Sequence, residues 1–355
     1  MLSRNVACRS AACRRKIGLR APARPWRTTV VPDIMLQLRR HGVSPWPDRS
    51  AGARAHPVFN RQGLGHIMDH ATAGAATCAP LFPAPSLLAR HGVRHVPATV
   101  CTATGMAGRE EAVIDEVPVG LVYAGDLFAV MLATPTDLED FATGFSLSEG
   151  IVGDAGELAV TAIDELADGV RIRMEVPVER LAALLRRKRN LMGGSGCGRC
   201  GTDSFAETLR PLDPVRSTAR IAPDAIRRAM AALPSGQMLN RQTGAVHAAG
   251  FAWADGELVA VREDVGRHNA LDKLIGALAR AGIDPAGGFV VVSSRCSFEM
   301  VHKTAAAGIP LIAAISAPTS LCVGFAETVG VGVVAYVRDG RFTVYAVPSR
   351  VAAPV

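Results

Sequence analysis

The sequence predicts an α/β protein: a largely parallel, helix-covered sheet in its C-terminal part, preceded by a smaller β-rich domain of α+β character. Three observations predict this class. Short apolar runs alternate with helical patterns towards the C-terminus, turn-bounded strand patterns occupy residues 108–190, and 49% of the residues are hydrophobic. Such a composition supports a sizeable core without disulfide bonds. The βαβαβ order implies parallel strands with right-handed crossovers.

Residues 1–107 differ in composition from the rest of the chain. Up to residue 85 there are 13 basic and 3 acidic residues, and the remaining 26 basic and 29 acidic residues leave a net charge of −3. We interpret residues 1–107 as a disordered leader or as sequence upstream of the true translation start, with Met35, Met68 and Met106 as alternative starts. Because the formal charge of +7 belongs to this segment, a nucleic-acid-binding surface is not predicted.

The β-rich domain, residues 108–190, contains strand patterns and two helical patterns. The predicted strands are Ala112–Pro118, Leu121–Tyr123, Asp126–Leu132, Glu157–Ile163 and Val170–Val176. The first predicted helix is Asp137–Ser148, with Thr136 as a candidate N-cap. The second, Val178–Arg189, ends in an Arg-Arg-Lys-Arg run that complements the helix dipole.

A glycine-rich loop with two cysteines follows in residues 191–222, the predicted linker. Five of the nine residues from Gly193 to Gly201 are glycine, which favours a mobile loop around Cys197 and Cys200. The nearby basic residues favour the thiolate, the reactive form of cysteine. Half of a zinc site or a disulfide redox motif would use the same spacing, but zinc needs about four ligands and the chain has no second Cys-x-x-Cys pair.

The C-terminal domain, residues 223–350, is predicted to hold the main sheet. Its predicted helices are Pro223–Ala232, His268–Ala281, Phe298–Ala307 and Thr319–Val329. Its predicted strands are Val246–Trp253, Leu258–Arg262, Gly288–Ser293, Leu311–Ile315, Gly332–Val337 and Phe342–Val347, the last of which adds an antiparallel edge.

Cysteine usage favours a reducing compartment, because the eight cysteines are too sparse for a secreted disulfide framework. Cys296 and Cys322 are interpreted as small core-facing residues at helix starts. No apolar run approaches the 18 or so residues of a membrane span. We therefore expect a cytoplasmic protein with no membrane partner.

Polar segments that follow predicted strands form a candidate ligand site. Ser293–Arg295 and Ser316–Thr319 each follow a strand of the open sheet, where such sheets bind ligands. Glu263–His268 precedes a helix, so Asp264 is a candidate cap and Arg267 or His268 a candidate phosphate contact. Ordinary helix capping explains each of these segments equally well.

Four segments together resemble the formate dehydrogenase accessory family of sulfur carriers, FdhD/NarQ. They are GSGCGRCG at 194–201, TGAVHAAGF at 243–251, REDVGRHNALDKLIG at 262–276 and SSRCSFEMVHKTAAAGIPLIAAISAPTSL at 293–321. The resemblance covers roughly residues 109–350. The ordered set is specific, although a single Cys-x-x-Cys motif is not.

The resemblance implies a cytosolic homodimer with sulfurtransferase activity. It implies that Cys197 accepts sulfur as a persulfide from a cysteine desulfurase, that Cys200 is its partner, and that the sulfur passes to the Mo-bis(molybdopterin guanine dinucleotide) cofactor of formate dehydrogenase. The family's cofactor-binding segment corresponds to Tyr336, Val337, Arg338, Asp339, Gly340 and Arg341. No resident metal is implied.

The resemblance also implies a C-terminal three-layer α/β/α fold like that of cytidine deaminases. Those enzymes use a His-x-Glu motif and a later Pro-Cys-x-x-Cys motif. In this chain His247 is followed two positions later by Ala249, and the second motif is absent after it. Deamination is therefore not predicted, and His247 is either a ligand contact or a satisfied half-buried histidine.

A rival hypothesis keeps the binding site and removes the sulfur chemistry. In it the chain is a non-catalytic chaperone that binds the molybdenum cofactor for formate dehydrogenase. A Cys197→Ala variant separates the two hypotheses, because cofactor binding survives in both and maturation of the dehydrogenase is lost only in the first.

Overall fold

The structure is a computed structural model that describes residues 91–181 and 211–353. These residues form a four-stranded sheet, a six-stranded sheet and a two-stranded ribbon, together with α-helices, which confirms the mixed α/β class. The predicted helix Val178–Arg189 lies mostly outside the described residues. Cys197, Cys200 and the whole glycine-rich loop lie outside them as well.

The ribbon is an antiparallel pair of strands, β1 (Val93–Thr102) and β2 (Gly105–Ile114). Regular structure therefore begins upstream of residue 107, where the sequence analysis placed the end of an unstructured leader. The overall composition of residues 1–107 concealed the alternating pattern of β1, which contains Pro97. Proline is tolerated there because both strands of a two-stranded ribbon are edge strands.

The four-stranded sheet has the order β4-β3-β6-β5. Its strands are β3 (Val117–Tyr123), β4 (Asp126–Ala133), β5 (Ala159–Leu166) and β6 (Gly169–Glu175). β3 runs through Gly120 without the interruption that the sequence analysis expected, and Gly120 pairs with both neighbouring strands. Helix α1 (Leu138–Ser148) buries Phe141 and Phe145 in the core of this sheet.

The six-stranded sheet has the order β12-β11-β10-β9-β7-β8. Its strands are β7 (His247–Trp253), β8 (Leu258–Asp264), β9 (Gly288–Val292), β10 (Leu311–Ala314), β11 (Gly332–Arg338) and β12 (Arg341–Ala346). β9, β10 and β11 are parallel, and β12 pairs with β11 as the predicted antiparallel edge. The β7–β8 hairpin joins the other side of the sheet through antiparallel pairing of β7 with β9.

Helices cover both faces of this sheet. They are α2 (Pro223–Gly236), α3 (Met238–Thr243), α4 (Arg267–Arg280), α5 (Phe298–Ala306) and α6 (Ser320–Val329). One core contains Leu271 of α4 and Met300 of α5, and the core on the other face contains Ile226 of α2. The arrangement is a three-layer α/β/α sandwich. Its likeness to cytidine deaminases stays a prediction.

Candidate functional site

The ligand-binding segments predicted from the sequence meet at one edge of the six-stranded sheet. We call it the carboxyl edge, defined by the last residues of β8, β9, β10 and β11 and the first residue of β7. β7 runs antiparallel to β9, so its first residue, His247, lies at this edge, paired with Asp264 at the end of β8. Ser293–Arg295, Ser316–Thr319 and Tyr336 therefore lie on neighbouring strand ends, as the parallel order requires.

Backbone hydrogen bonds hold these strand ends together. The Tyr336 N–H donates to the Ser316 carbonyl at 3.2 Å, and the Cys296 N–H donates to the Ala317 carbonyl at 3.1 Å. In return, the Thr319 N–H donates to the Cys296 carbonyl at 3.0 Å. The segments after β9 and β10 are therefore fixed against each other, and the edge is preorganised.

The predicted cofactor-binding segment forms the tip of the β11–β12 hairpin. Tyr336 has φ of 55°, and the pairing of β11 with β12 is irregular between Ala335 and Arg338. The Arg338 guanidinium lies over the Tyr336 ring, 5.7 Å from its centroid. An aromatic ring and a planar cation side by side suit a purine base or a phosphate.

The six residues of this segment do not have the same role. Val337 is buried in the core beneath α2, so its side chain supports the hairpin. Asp339 and Gly340 form the turn, both with positive φ, of 54° and 73°. Tyr336, Arg338 and Arg341 present polar or aromatic groups at the surface, and Arg338 pairs with Arg341 across the turn.

Basic side chains converge beside His247. Burial lowers the pKa of the half-buried His247, and Arg267 and Arg295 lower it further against an opposing effect of Asp264. The Nε of Arg267 is buried and has no hydrogen-bond partner among the described residues. This end of the carboxyl edge is therefore electropositive and offers a donor to an anionic ligand.

Asp264 and Glu263 have structural roles. The Asp264 carboxylate lies 2.7 Å from the Lys273 amine, and neither side chain is exposed. Asp264 also accepts hydrogen bonds from Gly266 N–H and, at 3.0 Å, from Thr134 N–H. The N-cap residue of α4 is Gly266, so the prediction that Asp264 caps the helix is wrong.

The remaining polar groups in these segments serve the backbone. Glu263 accepts from the Leu239 and Asn240 N–H groups in the first turn of α3, at 2.7 and 2.9 Å. Thr319 caps α6 by accepting from the Cys322 N–H at 3.4 Å, and the Ser294 hydroxyl donates to the Arg295 carbonyl at 3.0 Å. These hydroxyls therefore fix the loops, and Arg267, Arg295 and Arg338 remain as groups for a ligand.

Thr136 does not cap α1, although the sequence predicted it. The residue at that position is Asp137, with φ of 50° and no side-chain hydrogen bond to the helix. The Thr136 hydroxyl accepts a 3.3 Å hydrogen bond from the Lys273 amine instead. A tertiary contact therefore replaces a local one.

A second buried charge network, which was not predicted from the sequence, connects α1, α4 and α5. The Lys303 amine lies 2.9 Å from Asp272 and 3.0 Å from the Ser148 hydroxyl. Burial raises the pKa of Asp272, and Lys303 opposes the shift. The one signal in the sequence was a charged residue at a position that the helical spacing places towards the core.

Cys296 and Cys322 are both buried, as expected for core-facing residues. Their Sγ atoms lie 3.5 Å apart, which no pattern in the sequence indicates. This proximity depends on the order of the strands, because the two cysteines follow the neighbouring strands β9 and β10.

A cavity of about 650 Å³ lies beside the start of α1, helix α3 and the last residues of β8. Asp140, which lines it, is paired with Arg262 at 2.8 Å and with Arg280 at 2.5 Å. Asp137 and Glu139 pair with the same two arginines, so the charged groups of the lining bind each other and the cavity carries no functional assignment. Within residues 91–181 and 211–353, no group of three or more metal-ligating side chains is found, and no helix is long and apolar enough to cross a membrane.

Comparisons with known proteins agree on one family. The sequence model of the FdhD/NarQ family matches residues 114–352. The "Sulfur carrier protein FdhD" of Xanthomonas axonopodis pv. citri is 54% identical over 241 residues, which cover 68% of this chain and 86% of that protein. The protein of the same name from Bordetella bronchiseptica is 48% identical over 247 residues, or 70% and 90% of the two chains.

A solved structure supports the same grouping. The crystal structure of a protein from Desulfotalea psychrophila, described as a formate dehydrogenase accessory protein, matches with a TM-score of 0.57 and 26% sequence identity. The match covers 73% of this chain and 99% of that one.

Proposed function

Because this chain belongs to the FdhD/NarQ family, we propose that it is a sulfurtransferase that carries sulfur as a cysteine persulfide to a molybdenum cofactor. Relatives named sulfur carrier proteins, at 48–54% identity, support the sulfur chemistry. One observation supports the molybdenum cofactor as the sulfur acceptor. The Tyr336–Arg341 hairpin, Arg267 and Arg295 all lie at the carboxyl edge of the six-stranded sheet.

The loading step uses Cys197. Its thiolate attacks the terminal sulfur of a persulfide on a cysteine desulfurase, a new S–S bond forms, and the desulfurase cysteine leaves as a thiolate. The nearby Arg199 and the basic run Arg186–Arg189 favour the attacking thiolate. The product is a persulfide on Cys197.

The unloading step uses Cys200. Its thiolate attacks the inner sulfur of the Cys197 persulfide, which forms a disulfide between the two cysteines and releases the terminal sulfur as hydrosulfide to the acceptor. A reductant of the thiol class then regenerates both thiols. The spacing of two residues between the cysteines suits this exchange.

The acceptor is Mo-bis(molybdopterin guanine dinucleotide), bound as a substrate at the carboxyl edge. Its phosphates match the unpartnered Arg267 Nε and the exposed Arg295. Its guanine bases match the Tyr336 ring with Arg338 beside it. The neutral form of His247, favoured by its lowered pKa, adds a group that both donates and accepts hydrogen bonds.

The partners in this proposal are a cysteine desulfurase, formate dehydrogenase and a second copy of this chain in a homodimer. The solved relative described as a formate dehydrogenase accessory protein supports the dehydrogenase as the recipient.

Two variants of the full chain test the two halves separately. Cys197→Ala is expected to bind guanosine diphosphate as the unchanged protein does, and to abolish maturation of formate dehydrogenase in cells that lack their own carrier. Arg338→Ala is expected to weaken guanosine diphosphate binding about 10-fold, the effect of losing one charged contact. Full maturation by Cys197→Ala would exclude sulfur transfer and leave the cofactor-binding chaperone.

A further inference from the structure

The structure contains a second pair of cysteines, whose chemistry the proposed function does not use. Cys296 follows β9 and Cys322 lies in the first turn of α6, and their Sγ atoms are 3.5 Å apart. A disulfide bond has an S–S length of about 2.05 Å. The two thiols are therefore in contact, and the sulfurs must approach each other by about 1.5 Å to be joined.

The backbone around this pair is fixed in a way that keeps the two thiols together. Cys296 bridges to Pro318 in parallel register, with hydrogen bonds from Cys296 N–H to Ala317 and from Thr319 N–H to Cys296. Thr319 then caps α6 through the Cys322 N–H. These contacts hold the backbones of the two cysteines next to each other.

The two thiols differ in their readiness to ionise. The Cys296 thiol beside it lowers the pKa of Cys322, and a backbone hydrogen bond from Thr319 contributes. The contact with Cys322, together with burial, raises the pKa of Cys296. Cys322 is thus the thiol of the pair that ionises more readily, and thiol–disulfide chemistry begins from the thiolate.

Cys322 lies just below the surface. Thr319, Ser320 and Leu321, which precede it in the chain, are all exposed, and Leu321 has 55% of its surface accessible. A small oxidant needs only a local opening at the start of α6 to reach the sulfur, and helix starts open more readily than helix centres.

We propose that Cys296 and Cys322 form a reversible intrachain disulfide when the protein meets a peroxide. The Cys322 thiolate attacks one oxygen of hydrogen peroxide, which gives a sulfenic acid on Cys322 and releases the other oxygen as hydroxide, and the hydroxide takes up the proton that the Cys322 thiol had lost and becomes water. The Cys296 sulfur then attacks the Cys322 sulfur, and a second water leaves with the Cys296 proton. Peroxide is reduced, the two thiols are oxidised, and a thiol reductant restores them.

The crosslink joins the segments after β9 and β10. These are the segments that carry Arg295 and Ser316 at the carboxyl edge. Oxidation therefore fixes the distance between these two segments at the carboxyl edge. The disulfide does not depend on the proposed sulfur carriage by Cys197, so either can fail without the other.

Peptide mapping tests the proposal directly. The full-length chain with Cys197→Ser and Cys200→Ser, which removes the competing pair, is treated with hydrogen peroxide, and free thiols are alkylated in denaturant before digestion with trypsin. Cleavage after Arg295, Lys303 and Arg338 places the two cysteines in different peptides, 296–303 and 304–338. We expect these peptides to be joined, with a combined mass lower by two hydrogen atoms, and to separate in reductant.

The exposed Cys101 serves as the internal reference for oxidation. If Cys101 is oxidised while Cys296 and Cys322 are both still alkylated, the proposal is wrong. Separate sulfinic acids on the two residues, or crosslinks from either residue to another cysteine, also contradict it. A Cys322→Ser variant in the same background is expected to leave Cys296 unlinked and alkylated, and Cys101→Ser is expected to leave the crosslink unchanged.

Discussion

Gly144 of α1 and Gly276 of α4 face each other where the two helices cross. A Cβ built on Gly144 would lie 2.7 Å from the Gly276 backbone nitrogen, and a Cβ on Gly276 would lie 2.8 Å from the Gly144 nitrogen. The carbonyls of Asp272 and Asp140 would be closer still. The helix that covers the four-stranded sheet therefore touches the main sandwich backbone to backbone.

We expect Gly276→Ala to destabilise the protein by about 3 kcal/mol, the upper part of the usual range for overpacking, because backbone atoms cannot move aside as side chains do. Thermal unfolding should show a fall in Tm of about 6–12 °C. Gly324→Ala is the matched control, since Gly324 lies in α6 with open space around a built Cβ. It should be neutral or stabilising by about 0.5–1 kcal/mol. Equal effects of the two changes would contradict the close crossing.

Because Asp264 and Lys273 form a buried ion pair, we expect substitutions at the two residues to have strongly coupled effects on the free energy of unfolding. Lys273→Met leaves an unpaired carboxylate with no exposed surface, so we expect a loss of about 3–5 kcal/mol in the free energy of unfolding. Lys273→Met combined with Asp264→Asn should lose less than the single change, because no charge remains buried. Denaturant titration measures both.

An exposed ion pair is the control for that experiment. Arg173 pairs with Asp164 at 2.9 Å, and 53% of the Arg173 side chain is exposed. Arg173→Met should cost less than about 1 kcal/mol. If the double variant at positions 264 and 273 is less stable than Lys273→Met, the buried unpaired charge is not the cause of the destabilisation by Lys273→Met.

His247 predicts a pH dependence of stability. Its pKa in the folded state is lowered, chiefly by burial and then by Arg267, so the unfolded chain binds a proton more readily than the folded chain. The contribution of His247 to the free energy of unfolding is therefore fully present above the ordinary histidine pKa of about 6.5. It falls as the pH drops through that value.

The measurement compares His247→Gln with the unchanged protein. We expect the Tm of the unchanged protein to fall more steeply between about pH 7 and pH 5 than that of the variant. His95 is exposed on the ribbon, so His95→Gln is the matched control and should leave the slope as it is. Parallel pH profiles for all three proteins would contradict the prediction.

Arg267 predicts a contribution to anion binding that salt weakens. Its buried Nε lacks a partner among the residues described, so Arg267→Met should weaken guanosine diphosphate binding about 10-fold and reduce its dependence on ionic strength. Calorimetric titration at two salt concentrations measures both effects. Arg109→Met, on the ribbon, is the matched control and should bind as the unchanged protein does. Unaltered binding by the Arg267 variant would remove this residue from the site.

Periodicity in the sequence predicted the order of elements from β9 to β12, because apolar runs of strand length alternate there with amphipathic helices. The same order placed Ser293–Arg295 and Ser316–Thr319 at one edge. Helix α3 (Met238–Thr243) was not predicted, because the helix is short and has no buried side chains that would produce a helical pattern of apolar residues.

Contacts between distant segments were beyond prediction from the sequence. The pairs Asp264–Lys273 and Cys296–Cys322 depend on which strands are neighbours, and local patterns do not encode that order. Thr136 and Asp264 both looked like helix caps, but each side chain binds a group from another element. A strong local preference was overridden in each case by a buried charge that needed partners.

The most direct test of sulfur carriage is the intact mass of the full-length chain under non-reducing conditions, after incubation with a cysteine desulfurase and cysteine. If Cys197 carries sulfur, the mass rises by one sulfur, and peptide mapping places it on the peptide that contains Cys197. The added sulfur is removed by reductant, absent in Cys197→Ala and retained in Cys101→Ala. No added sulfur with a competent desulfurase, or sulfur that remains on the chain in Cys197→Ala, would contradict sulfur carriage by Cys197.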